Sequence, residues 1–170
     1  MSAILLGVCS LMFSYQVLAN SLGGPPDVSE YSGSGIWKTI KGGSGEYTTF
    51  TRMERFGNAL SISDTVTANG VTFKLTTLIV ETDDTFLDVY DEGVHVGSGY
   101  RFQDSKNKMS RYHTESDMNG WHYESTMNLS ASRIQRIGSK TKLSTGEKII
   151  WKDNLAQGYR SYPQCHPVWF

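Results

Sequence analysis

The chain lacks the short motifs that identify a reaction. It contains no Gly-x-Ser-x-Gly elbow, no phosphate-binding glycine loop and no paired-cysteine metal motif. It also lacks a basic stripe. Its 16 Lys and Arg are scattered among 17 Asp and Glu, for a net charge of −1. A protein that tracks a phosphate backbone needs clustered cations, so nucleic acid is not an expected partner. Cysteine is scarce: Cys9 lies near the N-terminus and Cys165 near the C-terminus. Charge is absent from the opening segment, where the first charged residue is Asp27. Downstream of that segment no helical period of useful length occurs, which excludes a bundle or a doubly wound sheet.

The uncharged opening reads as an export signal. Residues 4–12 are largely apolar, and Val17-Leu18-Ala19 places small residues where a signal peptidase cuts. Residues 1–19 are therefore expected to be a signal peptide cleaved before Asn20, although the segment lacks the usual basic start. The apolar run is shorter than the roughly 20 residues of a spanning helix. A lipoprotein box around Cys9 is disfavoured by Val8. The expected location is secreted or periplasmic. Cleavage leaves about 150 of the 170 residues, a single-domain size. It also leaves Cys165 without an intramolecular partner.

What the chain does have is alternation. Val71, Phe73, Leu75, Thr77 and Ile79 share one parity, and Val94, Val96, Ser98, Tyr100 and Phe102 share another. A side-chain period of two gives each strand one face for a core and one for water. Asn69-Gly70 and Asn119-Gly120 are type I′ hairpin signals, because both central residues tolerate positive φ. The spacing predicts an all-β fold, an antiparallel meander of about 8–10 strands closed into a lipocalin-like barrel. Closure hides the edges that a meander would expose. The expected organisation is a flexible Gly/Pro/Ser-rich linker over 20–34, a barrel over 35–155 and an aromatic tail over 156–170.

Gly35-Ile36-Trp37 at the start of the barrel resembles the Gly-x-Trp signature of lipocalins and their calycin relatives. The run on to Gly43-Ser44-Gly45-Glu46-Tyr47 is similar to the opening of nitrobindins and of several bacterial lipocalin-like families. The resemblance implies that Trp37 closes one end of a barrel and packs against a basic residue of a late strand, Arg133 or Arg136. It also implies a ligand cavity. Nitrobindins would require an axial histidine on a late strand, and residues 133–153 contain none, so no cofactor is expected.

Candidate lining residues for a small, mostly apolar ligand are Phe73, Leu75, Tyr100, Phe102, Trp121, Tyr123, Met127 and Trp151. The same residues could instead fill a solid core, leaving a structural or protein-interaction module whose tail contacts a partner. His113 with Glu115, and His122 with Glu124, could form a metal or acid–base cluster of the cyclase or isomerase kind. The parity of His122 and Glu124 relative to Trp121, Tyr123 and Met127 places that pair on the outer wall, and His113 with Glu115 would need to lie inside the cavity to act, so neither a metal nor a catalytic residue is assigned. His95 and Arg101 are expected to face outward.

Overall fold

The structure, a computed structural model, describes residues 27–161 and their side chains as far as residue 158. Residues 1–26, with the expected signal peptide, Cys9 and the start of the expected linker, and residues 162–170, with Cys165 and His166, lie outside the described residues. The strands are β1 Asp27–Thr39, β2 Ser44–Phe56, β3 Ala59–Ala68, β4 Val71–Glu81, β5 Phe86–Asp91, β6 Val94–Asp104, β7 Met109–Met118, β8 Trp121–Leu129, β9 Arg133–Lys142 and β10 Lys148–Ser161. Each pairs antiparallel with the next, and β1 pairs with β10, so the sheet closes into a barrel. There is no helix among the described residues. The meander and its closure are as the alternation and turn signals imply.

Both Asn-Gly turns have positive φ at each central residue: 51° and 76° at Asn69-Gly70, and 53° and 77° at Asn119-Gly120. These values match the right-handed twist of the flanking strands. The first strand begins at Asp27 rather than at Gly35, so residues 27–34 are strand and not linker. Their glycine content has a packing cause. A Cβ on Gly33 would come within 3.0 Å of the Leu155 Cα on β10. β10 likewise runs to Ser161, beyond the expected barrel limit at 155.

The seams are unequal. β1 is paired along nearly its whole length on both sides. β4, in contrast, pairs with β5 only over Leu78–Glu81, and residues 71–77 are held on the β3 side alone. The β3–β4 hairpin therefore stands clear of β5 at one end of the barrel.

The core occupies the opposite end, where the β2–β3, β4–β5, β6–β7 and β8–β9 turns lie. Tyr31, Met53, Leu60, Ile62, Ile79, Leu87, Val89, Tyr112, Met127, Ile134 and Leu155 form one buried cluster. Full burial of a Leu or Ile contributes roughly 1.5–3 kcal/mol, so this cluster supplies the main stabilisation.

Candidate functional site

Strand parity fixes what faces the interior. On β9, Ile134 and Arg136 point inward, followed by Gly138, Lys140 and Lys142. On β8 the inward positions are Leu129, Met127, Ser125, Tyr123 and Trp121, paired with them in register. The apolar members of both series sit at the packed end, and the lysines and large aromatics at the other, open end.

A polar bridge separates the two. Arg136 donates from Nε and Nη2 to Asp153 on neighbouring β10, at 2.8–3.2 Å. From Nη1 it donates to both carboxylate oxygens of Asp64 on β3, at 2.8 Å. Between β9 and β3 the wall runs through β10, β1 and β2, so the guanidinium reaches well across the interior. Thr51 donates to Asp64, and the Tyr47 hydroxyl donates to Asp153 at 3.0 Å. Burial works against the charge on Arg136, but the hydrogen bonds and charges of Asp153 and Asp64 outweigh it and hold the guanidinium protonated. Burial, reinforced by the charge of Asp153 and the hydrogen bond to it, pushes the Tyr47 hydroxyl well above the usual tyrosine range.

Three glycines shape the wall on the open side. Gly35 pairs across strands with Tyr47, Gly45 with Trp37, and Gly138 with Trp151. At Gly45 a Cβ would lie 2.8 Å from the Trp37 indole, and at Gly35 and Gly138 the partner rings are closer still. The missing side chains let the rings lie along the inner wall instead of projecting into the space, an arrangement in which an aromatic covers a strand glycine.

Trp37, Trp121, Tyr123 and Trp151 are only partly buried. Phe73 and Leu75 share the inward parity of Ile79 yet are 44% and 50% exposed. They belong to the stretch of β4 that β5 does not cover, so solvent reaches the inner face there. The Lys140 ammonium lies 4.9 Å and that of Lys142 5.9 Å from the Trp121 ring centroid. Burial, with the charge of Asp91 on β5 adding to it, raises the Tyr123 pKa.

Of the eight residues expected to line a cavity, Phe73, Leu75, Trp121, Tyr123 and Trp151 face the interior of the open half, and Met127 is buried in the core. Tyr100 and Phe102 do not face inward. They are 48% and 59% exposed on the outer wall, and Tyr100 stacks on His113 at 4.9 Å. Arg101, expected outside, points inward and donates to Glu81 at 2.6 Å. The reversal has a local cause. A bulge opposite Val89–Tyr90 inserts Val96 as an extra residue in β6, so the alternation does not run unbroken from Val94 to Phe102. Beyond it, Gly97 and Gly99 take the inner positions. His95 remains outside, 3.4 Å from Asp88.

His113 and His122 lie on the outer wall as well. His113 Nε2 is 3.3 Å from Glu115, and His122 Nδ1 is 2.7 Å from Asp117. No group of three potential metal ligands occurs among the described residues. Arg136 does not stack on Trp37, since its guanidinium is engaged by Asp64 and Asp153, and Arg133 is exposed. The cations found over an indole are Lys140 and Lys142, on Trp121.

At the packed end a second polar set joins the strands. Glu81 accepts from Arg55 at 3.0 Å, from Arg101 and from the Tyr112 hydroxyl, which itself accepts from Arg55 at 2.7 Å. A cavity of about 250 Å³ beside it is lined by Tyr31, Met53, Arg55 and Leu60 among others. That is too small for most drug-sized ligands.

No protein-family model matches the sequence, and no curated protein matches it. Among solved structures the barrel is similar to the S-type phycobiliprotein lyase CPES from Guillardia theta. The TM-score is 0.55 at 7% identity, covering 86% of this chain and 93% of that one. The shared fold is a closed antiparallel β-barrel. At this identity the likeness concerns the fold alone. Arg136, Asp64 and Asp153 were missed by sequence reasoning because charges at inner positions break the apolar alternation. The one available signal was a late-strand Arg, which the Gly-x-Trp resemblance assigned to a different partner.

Proposed function

We propose that this chain is a secreted or periplasmic barrel that binds a small, mostly apolar molecule in the open half of its interior. The observation that carries the reading is the set of inward aromatics that the protein leaves partly uncovered. Trp37, Trp121, Tyr123 and Trp151 are half-buried and Phe73 is 44% exposed, whereas the core residues beyond the Arg136 bridge are buried. Binding pockets are concave, apolar and aromatic, with few polar groups. Barrels of this class hold single ligands. The same fold carries an S-type phycobiliprotein lyase, which supports a working rather than an inert barrel. The uncharged leader ending in Ala19 supports export.

Native mass spectrometry of protein purified from its own source should show a retained small molecule, and intact-mass analysis should place the mature N-terminus at Asn20. Neutral N-phenyl-naphthylamine should quench the tryptophan emission of the ligand-free protein. If no mass is retained and the emission is unchanged by this probe, the binding reading fails. An intact leader on protein confined to the cytoplasmic fraction would overturn the location.

A further inference from the structure

Two lysines at the open mouth have no structural assignment. Lys140 and Lys142 occupy consecutive inward positions of β9, a strand with neighbours on both sides. Lys140 sits between Tyr123 and Ile149 in register, and Lys142 opposite Trp121. Neither forms an ion pair among the described residues, although Arg136 on the same strand face is paired to two carboxylates. Both are only partly exposed, and both ammonium groups lie over Trp121.

An inward lysine gives up part of its hydration to the aromatic wall beside it, which an outward one does not. Cation–π contact with Trp121 returns only about 0.5–1 kcal/mol at such partly exposed sites. Asp91 is the carboxylate whose charge reaches this part of the chamber, through Tyr123. Among the described residues it forms no ion pair with either lysine.

We infer that the ligand of the open half carries an anionic group, a carboxylate, sulfonate or phosphate, held by Lys140 and Lys142 with its apolar body along Trp121, Tyr123 and Trp151. This rests on the binding reading above and specifies its ligand class as an amphipathic anion. A partly buried ammonium pair beside an apolar wall selects that combination, since charge complementarity adds specificity to the area-driven affinity of the rings.

The test uses two probes that share one skeleton, neutral N-phenyl-naphthylamine and its sulfonated analogue anilinonaphthalene sulfonate. Wild-type protein should bind the sulfonated probe about tenfold more tightly. The Lys140→Gln/Lys142→Gln double variant should bind both equally, with the neutral probe's Kd unchanged, while Lys140→Arg/Lys142→Arg should keep the preference. Added salt should weaken only the sulfonated probe, an arm that decides the matter in wild-type protein if the glutamine variant does not fold. Equal binding of both probes by wild type, unaffected by salt, overturns this inference and leaves the binding reading standing. Failure of both probes to bind overturns the binding reading itself.

Discussion

Along β9 and β10 the packed end presents Ile134 and Leu155, both fully buried, while a few residues further on the same strands present Lys140, Lys142 and Trp151, all partly exposed. Backbone pairing is continuous from one region to the other, so hydrogen bonding along these strands does not distinguish them. Two features do. At the packed end, branched and aromatic side chains from all around the wall meet in one cluster. At the open end, glycines at 35, 45 and 138 lower the wall beneath the rings, and β5 is too short to cover β4. One closed sheet thus holds a stabilising core and a half whose inward aromatics stay partly exposed, with Arg136 and its two aspartates between them.

Removing the bridge should have the largest effect. Arg136→Met leaves Asp64 and Asp153 together without their cation and should cost about 3–5 kcal/mol in urea unfolding. A loss below about 1 kcal/mol would mean that the two regions are not held apart by this charge. Leu155→Ala in the packed half should cost about 2–5 kcal/mol, because its cavity is walled by other core residues. Leu75→Ala in the open half should cost under about 1 kcal/mol, while weakening binding of the neutral probe. Equal losses at the two positions would erase the contrast.

Tyr47 offers a pH-dependent check. Its folded pKa is raised, so folding favours the protonated hydroxyl. That contribution is fully present below the unfolded tyrosine pKa of about 10 and is lost as pH rises through the folded value. Tyr47→Phe should cost about 1.5–3 kcal/mol at neutral pH, the worth of a hydrogen bond to a charged group. It should also flatten the alkaline decline in stability. Tyr112, raised chiefly by burial, should keep part of that decline in the variant. The smallest effect belongs to the outer wall. Arg52→Ala removes exposed pairs to Glu30 and Glu54 and should change the unfolding free energy by less than about 1 kcal/mol.

The strands and turns were legible because their signals are local. Asn69-Gly70 and Asn119-Gly120 specify their hairpins from two residues each, and the alternation from Val71 to Ile79 gives the inward face of β4 directly. In β6 the same reasoning reversed Tyr100 and Arg101, because a bulge shifts parity without marking the sequence beyond Gly97 and Gly99. In β1 it took strand for linker, since small residues required by close approach to β10 have the composition of a flexible segment. Hydrophobicity was also a poor guide to face in β9, where Ile137 is 56% exposed outside and Arg136 is inside.

The sequence alone determined that this chain forms short strands joined by tight turns, since φ preference and period-two patterning act over a few residues. Only the tertiary structure decided which aromatics share a chamber, and that Arg136 meets Asp64 across 72 residues and Tyr47 meets Asp153 across 106. Those contacts exist only once β1 closes on β10, and ring closure is a property of the whole sheet that no single stretch of sequence encodes.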